Sequence, residues 1–173
     1  GGFQYGGWLV PHFDEALGQE MGEQMGQPFD LLLGRKTFEI FATYWPTAEG
    51  GDNPINHATK YVASWTMREH EWQKSVFLNG DVVAQIRQLK QGEGPDLQVH
   101  GSSELLQTLL ANDLIDELWL KIFPVTVGEG KRLFGEGAKP AAYTLVESRA
   151  TPSGVIIARY LRAGAVETGQ IGT

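Results

Sequence analysis

Cysteine is absent from the 173 residues, which excludes a disulfide framework, a thiolate metal site and a cysteine nucleophile. Positive charge is short: 14 Lys and Arg face 21 Asp and Glu, for a formal net charge of −7. Such a chain offers no general surface for nucleic acid or an anionic membrane, although it can still hold a small basic pocket. Long apolar runs are also missing. None approaches the ~18 residues of a membrane span, and no charged-then-apolar signal opens the chain. These absences set the expectation of a cytoplasmic protein. Histidine is scarce, and His12, His57, His70 and His100 share no metal-ligand spacing, so no metal site is expected. No G-x-S-x-G occurs and no Ser/His/Asp set stands out. Asp116 and Glu117 are adjacent carboxylates, but strand neighbours point to opposite faces. The catalytic residue is left unassigned.

What is present is a hydrophobic fraction of 42% with five tryptophans, enough for one folded core. No repeat, linker or composition break divides the chain. One domain over 1–163 is expected, with 164–173 as a flexible tail. The opening GGFQYGGW reads as a loop that native residues would precede. Its Phe3, Tyr5 and Trp8 either pack on the core or form a flap over a site. Phe13, Leu17, Met21 and Met25 have helical spacing over 12–26. Phe29 to Gly34 is a compact apolar run, as in a strand buried on both faces, and a helix follows it up to Pro46. Residues 47–59 read as a polar loop, and strands are expected at Lys60–Trp65 and Val76–Gly80. Asp81 can cap a helix carrying Val82, Val83, Ile86 and Leu89. A short strand at Leu97–Val99 leads through Gly101 into another helix, and Leu118–Val125 reads as a long strand. Residues 142–148 and 154–161 form a hairpin around Pro152-Ser153-Gly154. The order predicts an α/β fold: a mostly parallel sheet with helices on its faces and an antiparallel end.

Ligands of such sheets bind beyond the carboxyl ends of the strands. Three polar junctions fall there. At Gly101-Ser102-Ser103 a helix must begin, exposing unpaired N–H groups and partial positive charge; the serines can cap the helix or bind an anion. Gly34-Arg35-Lys36-Thr37 repeats the design with two cations, which a helix start disfavours unless an anion sits between them. Ser64 ends the next strand. The glycine-rich loop Gly128–Gly135 is neither a P-loop nor a dinucleotide G-x-G-x-x-G, since Arg132 and Leu133 occupy the deciding places. Three phosphate-compatible junctions on one edge, with no evident acid, base, nucleophile or metal, favour redox chemistry carried by a nucleotide cofactor.

The ordered motifs LLLGRKTF (31–38), YVAS (61–64), VHGSSEL (99–105), LIDEL (114–118) and FPVTVGEGKRLF (123–134) resemble the dihydrofolate-reductase-like superfamily. The closest branch is the RibD C-terminal reductase family of riboflavin biosynthesis, and the resemblance runs from Gly6 to Leu161. It implies a three-layer αβα fold and NADPH as cofactor. Gly34, Arg35, Lys36 and Thr37 would hold phosphates, Ser64 would lie near the adenosine 2′-phosphate, and Gly101, Ser102 and Ser103 would hold the pyrophosphate. The activity implied is hydride transfer to a small heterocycle or sugar carbonyl, as in 5-amino-6-(5-phosphoribosylamino)uracil reductase. A pterin reductase of dihydrofolate-reductase type, or a nucleotide-binding module without catalysis, is the alternative. Tyr5, Trp8, His100 and Phe123, with Trp119, are candidates for the substrate wall, although core packing also suits Trp119 and Phe123. A small-molecule substrate and a homodimer are implied. The riboflavin reductases tend to carry an acidic residue and paired glycines where this chain has His100-Gly101-Ser102, a pattern more like the family's stand-alone relatives. Their substrate and catalytic groups sit on a first strand, which would precede Gly1.

Overall fold

The computed structural model describes residues 4–170. Phe3 of the expected flap and the end of the expected tail lie outside them. Four parallel strands, β1 (Phe29–Gly34), β2 (Lys60–Ala63), β3 (Ser75–Leu78) and β4 (Asp96–Gln98), pair in the order β3-β2-β1-β4. Three antiparallel strands, β5 (Glu117–Ile122), β6 (Ala142–Ala150) and β7 (Ile156–Gly164), pair as β5-β7-β6. The five α-helices described are α1 (Glu15–Met25), α2 (Arg35–Tyr44), α3 (Pro54–His57), α4 (Val82–Gln91) and α5 (Ser103–Ala111).

β1 explains the layering. Its side chains alternate between faces, and both faces are buried. Leu31 and Leu33 pack with Phe38 of α2, Ile55 of α3, Val62 and Trp72. Leu32 packs oppositely, with Ile86 of α4 and Leu105 and Leu109 of α5. Helices therefore cover both faces of the parallel sheet, as expected of an αβα fold. A third cluster joins Leu17 of α1 to Val155 and Ile157 of the hairpin, with Trp119 and Phe123 against it.

Several boundaries differ from those the sequence suggests. α1 starts at Glu15 because Asp14 is extended and accepts the Leu17 N–H at 2.9 Å, which leaves Phe13 half-exposed outside the helix. The stretch 47–59 is not all loop. Asn53 accepts the Asn56 N–H, and Pro54 at the first helical position starts the single turn of α3. β5 ends at Ile122, before Pro124, three residues earlier than the run to Val125 suggests. It also pairs along its length with β7, so the hairpin is part of a three-stranded sheet.

Buried polar groups tie the layers together. Glu20 of α1, 1% exposed, accepts from Trp119 Nε1 and from Arg149. Lys60, fully buried at the start of β2, donates to Asn56 O at 3.1 Å and lies 4.5 Å from the centre of the Trp72 ring. Burial, with Lys74 nearby, pushes its pKa down to about 8, against a weaker opposing pull from Asp30.

Candidate functional site

The carboxyl ends of β1, β2 and β3 and the starts of α2, α4 and α5 surround a cleft of about 940 Å³. Gly34, Arg35, Lys36, Thr37, Ser64, Ser102 and Ser103 all line it. Gly101 stands just behind, where a Cβ would lie 3.9 Å from the Thr37 side chain. The structure thus brings the three polar junctions of the sequence into one place.

How the helices begin distinguishes this region. The starts of α1, α3 and α4 are capped by the side chains of Asp14, Asn53 and Asp81. Those of α2 and α5 receive no side-chain cap, and both open onto the cleft. Their first backbone N–H groups are donors without a side-chain partner, at the positive ends of two helix dipoles. Ser102 neither caps α5 nor stands free. Its Oγ accepts the Gly34 N–H at 2.7 Å, joining the end of β1 to the turn after β4. Ser102 is held in the left-handed region at φ 70, directly after Gly101 at φ 79. A non-glycine residue there stores strain, and such residues gather at ligand sites. Gly34 sits close to this crossing: an added Cβ would lie 3.2 Å from Ser102 Cβ and Oγ, so Ser102 would have to give way by a few tenths of an ångström.

The charges are only partly satisfied. Arg35 turns back along its helix to Glu39 at 2.7 Å, a half-exposed pair, and Lys36 reaches only to 3.9 Å from Glu104 across the cleft. Solvated pairing therefore offsets part of the conflict of two cations at a helix start. Ser64 is buried, and its hydroxyl accepts the Met67 N–H at 2.9 Å and the Thr66 N–H at 3.3 Å. It builds the turn that presents Trp65, 78% exposed, to the cleft wall.

The candidates for the substrate wall do not line this cleft. Trp8 meets Phe123 edge-to-face with centroids 5.1 Å apart, and Phe123 packs on the third core cluster. Tyr5 is half-exposed. Trp119 is enclosed by Glu20, Lys121 and Arg159. His100 lies with Gln98 Oε1 2.7 Å from its Nε2, and burial, then the Lys121 ammonium, lowers its pKa. Trp65, Thr66, Asp81, Glu104, Thr108 and Lys131 also line the cleft, although the sequence alone assigns none of them to it. Among the described residues no cluster of His, Cys, Asp or Glu could hold a metal, and no helix is long and apolar enough to cross a membrane.

The family model for the RibD C-terminal domain matches residues 11–157, which takes in every element from α1 to the start of β7. The chain belongs to the RibD C-terminal domain family. That family is a reductase family, and its RibD-like reductases generally use NADPH. The fold is accordingly the dihydrofolate-reductase-like one. The uncharacterized protein YyaP of Bacillus subtilis (strain 168) is 33% identical over 132 residues, covering 73% of this chain and 70% of YyaP. A putative riboflavin biosynthesis protein from Shewanella sp. PV-4 superposes with a TM-score of 0.68 at 25% identity, over 87% of this chain and 81% of that one. RibD of Acinetobacter baumannii, at 14% identity and TM-score 0.65, shares the fold over 87% of this chain and 51% of its own.

Proposed function

We propose that this protein is an NADPH-dependent reductase that transfers a hydride to a small heterocyclic or sugar-carbonyl substrate. One observation carries the cofactor assignment: two uncapped helix starts, α2 and α5, open on the same cleft beside Arg35 and Lys36. The residues fit the group. Gly101 at φ 79 and Ser102 at φ 70 turn the chain so that α5 starts on the cleft, and the volume suits an extended dinucleotide. The Gly101–Ser103 turn would take the pyrophosphate on backbone N–H groups, and Arg35 would leave Glu39 for a phosphate oxygen, since a guanidinium matches that geometry in bidentate fashion. Trp65, beside Ser64, offers a flat face for the adenine ring. When bound, NADPH supplies the hydride; the protein supplies orientation and exclusion of water.

The family and the Shewanella neighbour's name favour a substrate like 5-amino-6-(5-phosphoribosylamino)uracil, with a pterin as the alternative. A cytoplasmic homodimer belongs to the same proposal, supported by the nine-residue edge strand β6 with Leu145 and Val146 half-exposed. The test is titration with NADPH, followed by turnover with the phosphoribosylaminopyrimidine and with dihydrofolate. Arg35→Ala should weaken NADPH binding about tenfold, the loss of one charge-assisted contact. Unchanged affinity overturns the assignment of that junction. Tight binding with no oxidation of NADPH in the presence of either substrate makes the protein a binding module instead.

A further inference from the structure

The glycine-rich loop after β5 matches no phosphate-binding motif, yet it delivers Lys131 to the cleft wall. Lys131 differs from the other two cations there. Arg35 is engaged by Glu39 and Lys36 lies near Glu104, whereas Lys131 has no ion pair or side-chain hydrogen bond among the described residues. A cation left unpaired beside two open helix starts adds to the same positive field.

The loop is held in place by α5. Gln107, one turn into that helix, donates through Nε2 to Leu133 O at 3.1 Å and Arg132 O at 3.3 Å. Its Oε1 accepts the Gly135 N–H at 2.9 Å. One amide thus spends both its donor side and its acceptor on three residues that follow Lys131 closely in the chain. Glycine at 135 is part of the fastening, because an added Cβ would lie 2.6 Å from Gln107 Oε1. The amide could swing away from a Cβ, but only by giving up the bonds it makes. Further along, the Lys139 N–H bonds to Leu110 O at 3.2 Å, a second stitch to the same helix. α5 therefore presents its own N-terminus to the cleft and, from its side, carries the loop that bears Lys131.

We infer that Lys131 is a third phosphate ligand of the nucleotide cleft, and that Gln107 is the positioning residue that keeps it there. The inference rests on the NADPH reading of the cleft and extends it to a loop from the other sheet. Lys131 contributes as a point charge toward phosphate oxygens; Gln107 touches no ligand and acts through the loop alone. Its side chain reduces the freedom that ordering the loop would otherwise cost on binding.

The test is NADPH and NADH titration of wild type, Lys131→Met, Lys131→Arg, Gln107→Leu and the Lys131→Met/Gln107→Leu double variant, with Arg35→Ala in parallel. Lys131→Met should weaken NADPH binding roughly tenfold, as expected for one charge-assisted contact, and Lys131→Arg should restore most of it. Gln107→Leu should weaken binding by a similar factor, and the double variant should be no worse than Lys131→Met, because both changes remove one contact. Equal losses with NADPH and NADH place Lys131 on the pyrophosphate; a loss with NADPH alone places it on the 2′-phosphate. Wild-type affinity in Lys131→Met, or losses that multiply in the double variant, overturns the inference. If Arg35→Ala loses affinity while Lys131→Met does not, the cofactor reading stands and this extension falls. A wild type that binds no NADPH ends both.

Discussion

At the amino ends of β1 and β2, polar side chains are closed in on the protein itself, whereas at the carboxyl ends backbone donors are left facing a cleft. Asn56 is fully engaged at the closed end. Its amide donates to Trp45 O and Gly51 O, both at 2.8 Å, and accepts from Trp72 Nε1 at 2.8 Å. Asn53 donates to Trp45 O and Ala48 O, and Asp30 accepts the Thr59 N–H at 2.8 Å. At the other end Gly34 and Ser102 precede helices whose first turns are uncapped. The same sheet thus has its polar side chains partnered within the protein at one end and backbone donors opening on the larger cleft at the other. Buried polar groups with partners in place hold the fold together, whereas donors that open on a cleft can exchange water for a ligand.

Three changes test this contrast. The largest effect is expected at the open end. Gly34→Val drives a branched side chain into Ser102, so the turn must shift and the Gly34–Ser102 bond is lost. NADPH affinity should fall roughly a hundredfold, about 3 kcal/mol, in fluorescence titration. Near-normal binding would sink the reading of this crossing as part of the cofactor site. At the closed end, Asn56→Ala strands the Gly51 carbonyl and the Trp72 indole N–H, while Trp45 O keeps its bond from Asn53. The change should cost about 2–4 kcal/mol of stability in urea unfolding while leaving NADPH affinity within about twofold. A loss of affinity comparable to the loss of stability would break the distinction between the ends. The third effect concerns Lys60 and is read against pH. Below about pH 8 the folded and unfolded chains both carry the ammonium, and the cost of burying it is felt in full. Between about 8 and the ordinary value of 10.5 the folded chain has released its proton and the unfolded chain has not. Stability should therefore rise with pH through that window, by a margin that Lys60→Met abolishes when the two proteins are compared. Parallel pH profiles for the two would show that the buried amine stays charged.

Much of the fold is legible in the sequence because the responsible signals are local. The apolar run of β1, the Asp81 cap and the turn at Pro152-Ser153-Gly154 each state their structure within a few residues. The short helix α3 carries a local signal too, since Asn53-Pro54 is a cap followed by a helix-starting proline, yet the turn formers around it favour a loop reading. The placement of β5 in one sheet with the hairpin, and its early end at Ile122, depend on pairing with β7 some forty residues away. In the site, glycines and cations at strand ends are visible in one dimension. Trp65 and Lys131 are not, because only the tertiary fold decides that a tryptophan stays exposed or that a distant loop lies against α5. The engagement of Ser102 with Gly34, which takes one lone pair of the hydroxyl in place of a cap and leaves its O–H as a donor, is likewise a contact between residues far apart in the chain.

That contact limits how position 102 can vary. Its backbone angle asks for glycine, while the neighbouring strand asks for a hydroxyl within 2.7 Å of the Gly34 nitrogen. Glycine would ease the angle and drop the bond; alanine would keep the strain and drop the bond as well; threonine would keep the hydroxyl but bring a branched carbon to a conformation that resists it. Serine is a compromise between two incompatible demands. The position is thereby cut off from its nearest substitutes, and a change there calls for a matching change at Gly34.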